Sequence, residues 1–215
     1  LGHRKLVVAF QNDGFGQSMR EILEAQRIDD DIVHSSFVLE GSGVSIKERL
    51  TSLLDDGVTA CCVAAVGREF TNFVRACRRF TNSAFQIYGF SLVSPQDIYT
   101  ELGQMGRGVV LAQCVPALSR ISTPVVSEYR SLHAKAALDF PPNAFTFEGF
   151  LMAKVFGEAI RRAGRDLSRK TFLSALDSMS ALDVGGFRLA SGLMARAGSS
   201  YADIAVVDAA GRLRH

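Results

Sequence analysis

Short apolar runs and amphipathic stretches alternate along the first half of the sequence. Residues 58–66, VTACCVAAV, are almost all apolar and include β-branched side chains, which is typical of a strand covered on both faces. The pattern predicts five strands, over residues 6–10, 32–39, 58–66, 85–90 and 108–115. It predicts four intervening helices, over residues 16–27, 45–57, 70–80 and 95–102, with Ser45 as a cap. Strands and helices that alternate in this way indicate a parallel sheet with right-handed crossovers.

The character of the sequence changes at Pro116. From residue 124 to 176 the apolar spacing is almost entirely helical, with Pro124 at a first helical position and a long helix over residues 144–163. Ser168 can cap the next helix. Two short strands are predicted near the end, over residues 187–190 and 201–208. The second half of the chain thus has several helices but few strands for them to pack against. An apolar helix stripe needs a sheet or other helices to cover it.

The composition excludes several classes of protein. The 215 residues carry 24 Lys and Arg against 22 Asp and Glu, and a net charge of +2 is too small to imply a nucleic acid or an anionic membrane as partner. No apolar stretch approaches the roughly 18 residues that span a bilayer, and no signal peptide is recognised before the first strand. Cys61 and Cys62 are adjacent in an apolar run, so the cysteines lack zinc or C-x-x-C spacing. We expect no metal and no cofactor.

A glycine-containing turn follows the first strand, in the stretch VVAFQNDGFGQSMR over residues 7–20. A dinucleotide site needs G-x-G-x-x-G directly after the strand. Here Met19 replaces the third glycine, and the carboxylate of Asp13 would stand where phosphate charge should arrive. The stretch therefore disfavours a nucleotide-dependent enzyme, and a binding test with NAD(H) or ATP would decide the question.

The loops that follow the predicted strands carry no catalytic set. In open parallel sheets ligands bind beyond the carboxyl ends of the strands, and none of these loops combines a nucleophile, a base and an orienting acid. The histidines are scattered over the chain, at His3, His34, His133 and His215. We therefore predict no catalytic residue and no enzymatic activity.

Two residues of these loops are suited to binding instead. Phe15 lies between two glycines at a strand-to-helix turn, where its ring can form an apolar wall over the sheet edge or pack under its own loop. Ser91 follows the fourth predicted strand, where it can donate a hydrogen bond into the same cleft or cap a helix. The sequence leaves both alternatives open.

Five segments, in order along the chain, resemble the type 1 periplasmic solute-binding proteins of the branched-chain amino acid (Leu/Ile/Val) ABC transporter group. They are VVAFQNDGFGQ at 7–17, GVVLAQCVP at 108–116, TPVVSEYR at 123–130, the helix from FEGFLMA through AIRRAGRDLS at 147–168, and GSSYADIAVV at 198–207. Each segment is weakly specific, but the order of all five over nearly the whole chain is specific.

The resemblance implies two α/β lobes that are joined by three crossings and trap a small solute between them. The expected fold class is α/β, a parallel doubly wound, Rossmann-like sheet with a helical remnant of the other lobe. Residues 1–115 would be the second lobe, 116–190 the helical C-terminal part of the first lobe, and 191–215 the strands that return across the hinge. Nothing resembles the family's N-terminal stretch, so we expect a fragment that lacks most of the first lobe.

The resemblance also implies binding residues at the predicted turns. Phe15, in the turn that contains Asp13, stands where the family often has a ring against the ligand. Gly67 and Arg68 stand near a second such aromatic, but no ring is present there. Ser91 stands near a position that can be an acid pairing with the ligand ammonium. These departures argue against a plain leucine-type specificity. A serine hydroxyl cannot form the charge-assisted bond that a carboxylate makes with the ligand ammonium.

Phe145 falls near a first-lobe ligand contact of the family, as does Phe147, and core packing is an alternative for both. The function implied is that of a non-enzymatic, periplasmic solute-binding component that delivers an amino acid or related solute to an ABC permease. The alternative is a sensor domain of the same fold that feeds a receptor or regulator. If the first lobe is incomplete, the apolar helix faces would be covered by a homodimer, by a domain swap or by repacking onto the first half of the chain.

Overall fold

The computed structural model describes residues 5–25, 33–39, 43–81, 85–179, 181–190 and 201–215. In chain order the elements are β1 (Leu6–Gln11), α1 (Gly14–Ala25), β2 (Val33–Leu39), α2 (Gly43–Asp55), β3 (Ala60–Ala64), α3 (Gly67–Phe80), β4 (Gln86–Gly89), α4 (Pro95–Leu102), a 3-10 turn (Gly103–Gly106), β5 (Val110–Gln113), α5 (Pro124–Lys135), α6 (Ala144–Ala163), α7 (Arg169–Ser178), β6 (Ala181–Asp183), β7 (Arg188–Ala190), β8 (Asp203–Val207) and β9 (Leu213–Arg214). The described residues divide into two compact units. Unit 1 lies within Leu1–Gln113 and Ile204–His215, and unit 2 lies within Cys114–Asp203.

Unit 1 is built on a seven-stranded sheet with the strand order β2-β1-β3-β4-β5-β8-β9. The strand β1 pairs in parallel with β2 on one side and β3 on the other, β3 pairs in parallel with β4, and β4 with β5. The last pair, β8 with β9, is antiparallel. The parallel, doubly wound sheet predicted from the sequence is thereby confirmed.

Apolar residues cover both faces of this sheet. Alternate residues of β1 point to opposite faces: Val7 and Ala9 belong to the main core, which α2, α3 and α4 also line. Val8 and Phe10 belong to a second cluster that Met19 of α1 covers. Double coverage explains why the strands are continuous apolar runs rather than alternating ones.

The described residues of unit 2 form three helices and a small antiparallel hairpin, β6 with β7. Its core joins α5, α6 and the hairpin through Val125, Tyr129, Phe147, Leu151 and Phe187. The starts of α6 and α7 are capped by side chains, whereas the N-cap residue of α5, Thr123, forms no side-chain cap bond. The Asn143 side chain accepts from the Thr146 N–H at 3.0 Å, and Ser168 forms a capping box with Thr171. The predicted cap at Ser168 is confirmed.

Two local predictions differ from the structure. The helix α2 begins at Gly43, so Ser45 lies within its first turn and is not its N-cap. The apolar positions Ile46 and Leu50 face the core wherever the first turn starts, so they do not define the helix start. The strand β6 was not predicted, because three residues are too few to show a period of two. None of the described helices is long and apolar enough to cross a membrane.

Candidate functional site

The carboxyl ends of β1, β3 and β4 meet at one edge of the unit 1 sheet, because these neighbouring strands are parallel. The loops that leave this edge, together with the first turns of α1 and α3 that follow them, carry five of the six predicted binding residues: Asp13, Phe15, Gly67, Arg68 and Ser91. Phe145 lies apart from them in sequence and belongs to unit 2. The topology therefore brings five predicted residues to one sheet edge, where open parallel sheets bind ligands.

Gln11, the last residue of β1, ties two of these loops together. Its Oε1 accepts a hydrogen bond from the backbone N–H of Val66 at 3.0 Å, and its Nε2 donates to Asp13 Oδ2 at 2.6 Å. The amide thus holds the turn after β1 against the loop after β3, 55 residues away along the chain. Sequence reasoning missed Gln11, and its only signal was a polar side chain at the end of a buried strand.

Asp13 is the N-cap of α1. Its Oδ1 accepts from the Gly16 N–H at 3.0 Å, and its carbonyl accepts the first helical bond from Gln17 at 3.0 Å. With Gln11 on Oδ2, both carboxylate oxygens already have a partner in the protein. A cap of this kind satisfies a helix N–H that would otherwise lack an acceptor. The role of Asp13 in shaping the turn is therefore explained without a ligand.

The two glycines of this turn differ in whether the structure requires a glycine at their position. A Cβ at Gly16 would lie 1.8 Å from the carbonyl oxygen of Gln11, so only glycine fits there. A Cβ at Gly14 would meet nothing within 4 Å. Phe15 lies between them in the first turn of α1 and is half-buried. The close approach at Gly16 sets the path of the backbone that carries Phe15.

An open concavity of about 640 Å³ lies beside the same turn, in unit 1. Its polar lining includes the amides of Gln11, Asn12 and Gln17 and the charged side chains of Arg20 and Glu21. The Gln17 amide donates to Glu21 at 3.2 Å, and the Gln11 amide is bonded as described above. The amides of Gln11 and Gln17 are thus already engaged by groups of the protein.

The loop after β3 leads directly into α3. Gly67, its first residue, has φ +53°, a conformation that side-chain-bearing residues rarely adopt. Gly67 and Arg68 are both exposed, and the Arg68 carbonyl accepts a hydrogen bond from the Thr71 hydroxyl at 3.2 Å. Val66 precedes the helix and offers no side-chain cap. The helix therefore begins with two exposed residues, Gly67 and Arg68, neither of which is aromatic.

Two roles were left open for Ser91, a hydrogen bond into the cleft and a helix cap, and the loop after β4 excludes the cap. The Val93 N–H donates to the Phe90 carbonyl at 3.1 Å, which closes a turn that contains Ser91. The cap of α4 is Ser94, whose Oγ accepts from the Asp97 N–H at 3.3 Å. Ser91 is half-buried at the sheet edge and is not the residue that caps this helix.

The two phenylalanines at the start of α6 have different surroundings. Phe147 is fully buried in the core of unit 2, with its ring centroid 5.1 Å from that of Tyr129. Phe145 is 39% exposed. Core packing, the alternative stated for both, therefore accounts for Phe147 and leaves Phe145 as a candidate contact.

Cys61 and Cys77 are buried like apolar side chains, and Cys62 and Cys114 are half-buried. Burial raises the pKa of the Cys61 and Cys77 thiols, and it raises the pKa of Cys62 to about 11. Thiols with raised pKa values are protonated and poorly reactive at neutral pH. Among the described residues, no group of three or more metal-ligating side chains occurs.

The comparison with known families decides the identity of the fold. A family model described as periplasmic binding protein matches residues 1–212, nearly the whole chain. The chain belongs to the periplasmic binding protein family. The resemblance drawn from the five sequence segments is confirmed.

Solved structures match the chain over nearly its whole length. An extracellular ligand-binding receptor from Verminephrobacter eiseniae has a TM-score of 0.83 at 23% identity, with 100% of this chain and 61% of that chain covered. A substrate-binding periplasmic protein from Ralstonia solanacearum has a TM-score of 0.77 at 27% identity, with 99% and 61% covered. A leucine-binding protein from Thermotoga maritima has a TM-score of 0.76 at 15% identity, with 99% and 59% covered.

The chain thus spans about three fifths of the length of these structures. No curated protein matches it. The structural matches confirm the type 1 periplasmic-binding-protein fold.

Proposed function

We propose that this chain is part of an extracytoplasmic solute-binding component of an ABC transporter for amino acids and related small solutes. The family match over residues 1–212 carries the proposal, since periplasmic binding proteins bind small solutes. The leucine-binding protein from Thermotoga maritima supports an amino acid or a related compound as the solute. Binding would close two lobes around the solute by a hinge motion.

The carboxyl edge of the unit 1 sheet would form one wall of the solute site. The half-buried ring of Phe15 would contact the apolar part of the solute, and the cap by Asp13 would hold the ring in place. Ser91 would donate a hydrogen bond to the solute. Gly67, which has no side chain, would let the solute approach the backbone closely beside Arg68. Phe145 would be a further contact with the solute. Residues 1–115, 116–190 and 191–215 would be the second lobe, the helical part of the first lobe and the returning strands.

The polar groups at this edge favour a solute that differs from leucine. Ser91 offers a neutral hydrogen bond, about half as strong as the charge-assisted bond that a carboxylate makes with an ammonium group. Arg68 is exposed at the same edge and can attract a carboxylate. The solutes to test therefore include aromatic acids and amides as well as branched-chain amino acids.

The proposed location is the periplasm, and the proposed partner is the ABC permease that accepts the closed, loaded form. A homodimer or a domain swap is the proposed way to cover apolar helix faces if the chain acts without a complete first lobe.

A ligand-sensing domain of a receptor or regulator is the second candidate. The name of the Verminephrobacter eiseniae protein, an extracellular ligand-binding receptor, favours it. The polypeptide that surrounds this chain would separate the two functions. A lipoprotein cysteine or signal peptide favours transport, and a DNA-binding or membrane-spanning segment favours sensing.

Calorimetry and thermal shift on the longest natural polypeptide that contains this chain test the proposal. The panel comprises branched-chain amino acids, aromatic acids and amides, with NAD(H) and ATP as arms for the enzyme hypothesis. A ligand that binds stabilises the folded state, so the expected result is a rise in Tm with one class of solute. A folded protein that binds no solute on the panel contradicts the proposal.

A further inference from the structure

One edge of the unit 1 sheet is formed by a long strand without charged residues. The strand β2, Val33–Leu39, lies at one end of the seven-stranded order and pairs with β1. Among the described residues, no strand pairs with its outer side. An edge strand presents a row of backbone N–H and C=O groups that can pair with another chain, and charged residues or proline commonly prevent this. The sequence of β2, VHSSFVL, contains no Asp, Glu, Lys, Arg or Pro.

The opposite edge of the same sheet is protected. The strand β9, Leu213–Arg214, has only two residues. The guanidinium of Arg214 donates to Asp208 at 2.9 Å, and that of Arg212 donates to the same carboxylate at 3.2 Å. A short strand with charged side chains resists pairing with another chain. Pairing of β2 with β9 of another copy would add copies without limit and is disfavoured, whereas pairing between two β2 strands forms a closed dimer.

The register of β2 on β1 defines the segment that is available for pairing. The register shifts at the start of the strand, and from there residues 35–39 of β2 pair one by one with residues 7–11 of β1. The regular segment therefore has Phe37 at its centre. Two such segments can pair antiparallel around a two-fold axis only if each residue is compatible with the residue that it faces in the second copy.

The regular segment of β2 is complementary to a second copy of itself. With the axis at Phe37, the two Phe37 residues face each other, Ser36 faces Val38, and Ser35 faces Leu39, so no pair brings like charges together. The half-buried Phe37 ring packs against the main core of unit 1, with its centroid 6.3 Å from that of Phe73. Ser36 and Val38 are exposed on the other face of the sheet. Antiparallel pairing would add an aromatic pair on one face and cover Val38 on the other.

We propose that β2 is a dimerisation edge, at which the strands of two copies pair antiparallel around Phe37 and join two seven-stranded sheets into one. This surface belongs to unit 1 and is separate from the apolar helix faces considered above, and the pairing requires no solute. Five residues on each side bury less than the roughly 800 Å² per partner of a standard stable interface. The expected dimer is therefore weak and depends on protein concentration.

Two matched valine variants test the edge by sedimentation equilibrium, without solute, on the longest natural polypeptide that contains this chain. Val38 of β2 is 37% exposed, and Val206 of β8 is 40% exposed but lies between two strands of the sheet. Val38→Glu places a charge at the free edge and should weaken dimerisation at least ten-fold. Val206→Glu adds the same charge away from that edge and should change the Kd less than two-fold. Circular dichroism shows whether each variant is folded.

A disulfide between copies tests the register. Residues that face each other in an antiparallel pair have Cα atoms about 4.5–5.5 Å apart, which a disulfide can bridge. An equal mixture of Ser36→Cys and Val38→Cys chains should therefore form a covalent dimer on mild oxidation. Either variant alone should not, because its two new thiols are offset by two positions, or about 7 Å along the strands. The parent chain under the same oxidation controls for its own cysteines.

Three results would overturn the dimerisation proposal. The first is a protein that stays monomeric at the highest concentration that sedimentation can measure. The second is a dimer that Val38→Glu weakens no more than Val206→Glu does, because the copies would then meet at another surface. The third is a dimer for which the cysteine mixture yields no more covalent product than either variant alone. Each result leaves the proposed solute-binding function untouched, since solute binding is measured separately.

Discussion

The side-chain oxygen of Gln11 accepts a hydrogen bond from the backbone N–H of Val66 at 3.0 Å, across 55 residues of sequence. The same amide donates to Asp13, which caps α1 through Gly16. One side chain thus couples the turn that carries Phe15 to the loop that carries Arg68. The relative position of two proposed binding residues depends on this amide.

Gln11→Ala is expected to destabilise the protein by about 1–2 kcal/mol, because the partly buried Val66 N–H loses its acceptor. Urea denaturation measures the change, and solute affinity should fall as well because the two loops lose their link. The control is Gln96→Ala, which removes a long exposed contact to Thr100. Equal stabilities of the two variants would contradict the structural role of Gln11.

Gly16→Ala and Gly14→Ala should have opposite outcomes. The first places a methyl group 1.8 Å from the Gln11 carbonyl and should destabilise the fold by about 3 kcal/mol. The second meets open space and should be neutral or should stabilise the helix by up to about 1 kcal/mol. Thermal or urea unfolding compares the two variants. If Gly16→Ala is as stable as Gly14→Ala, the close approach does not exist in solution.

Phe15→Ala should weaken solute binding while the fold stays intact, because the ring is half-buried at the sheet edge. Calorimetry on the complete protein measures the affinity, with circular dichroism as the check on folding. Phe147→Ala is the matched control and should cost about 3–5 kcal/mol of stability, since that ring is fully buried. An unchanged affinity for Phe15→Ala would assign Phe15 to the packing of its own loop.

Stability should fall as the pH rises above about 9. Burial raises the pKa of Cys61 and Cys77 above the usual value of 9.0, so the folded state keeps protons that the unfolded state releases. The resulting loss is up to about 1.4 kcal/mol per pH unit for each thiol, and the full contribution is present below pH 9. Urea denaturation at pH 7.5, 9 and 10 measures it.

The control for this pH dependence is the double variant Cys61→Ala, Cys77→Ala. It removes both thiols and keeps small apolar side chains in the core, so its stability should decline less between pH 9 and 10 than that of the parent. Lysine and tyrosine titration affects both proteins alike. Parallel stability curves would show that the thiols do not carry the effect.

The 215-residue chain alone should bind amino acids weakly or not at all, because the proposed site has only one complete wall. Calorimetry with the purified chain is the measurement, after sedimentation has established its oligomeric state. A micromolar Kd for any amino acid would contradict this prediction.

The sequence predicted the bounds of an element well where the residue that sets the bound lies at the bound itself. The bounds of α4 and α6 agree with prediction, since Pro95 begins one helix and Gly164 ends the other. The start of α2 and the strand β6 differed, because a helix can begin before its first apolar contact and a three-residue strand has no visible period. Topology placed five predicted binding residues at one sheet edge, but their ligand contacts remain predictions.

The sequence by itself determined the alternation of strands and helices and the parallel sheet, because apolar periodicity, caps and turn residues act over a few positions. The resemblance of five segments indicated the family. Only the tertiary structure decided that Gln11 joins two distant loops, that Gly16 and not Gly14 requires glycine, and that Phe147 is buried while Phe145 is exposed. These properties depend on atoms brought together from separate parts of the chain. A one-dimensional pattern does not contain those distances.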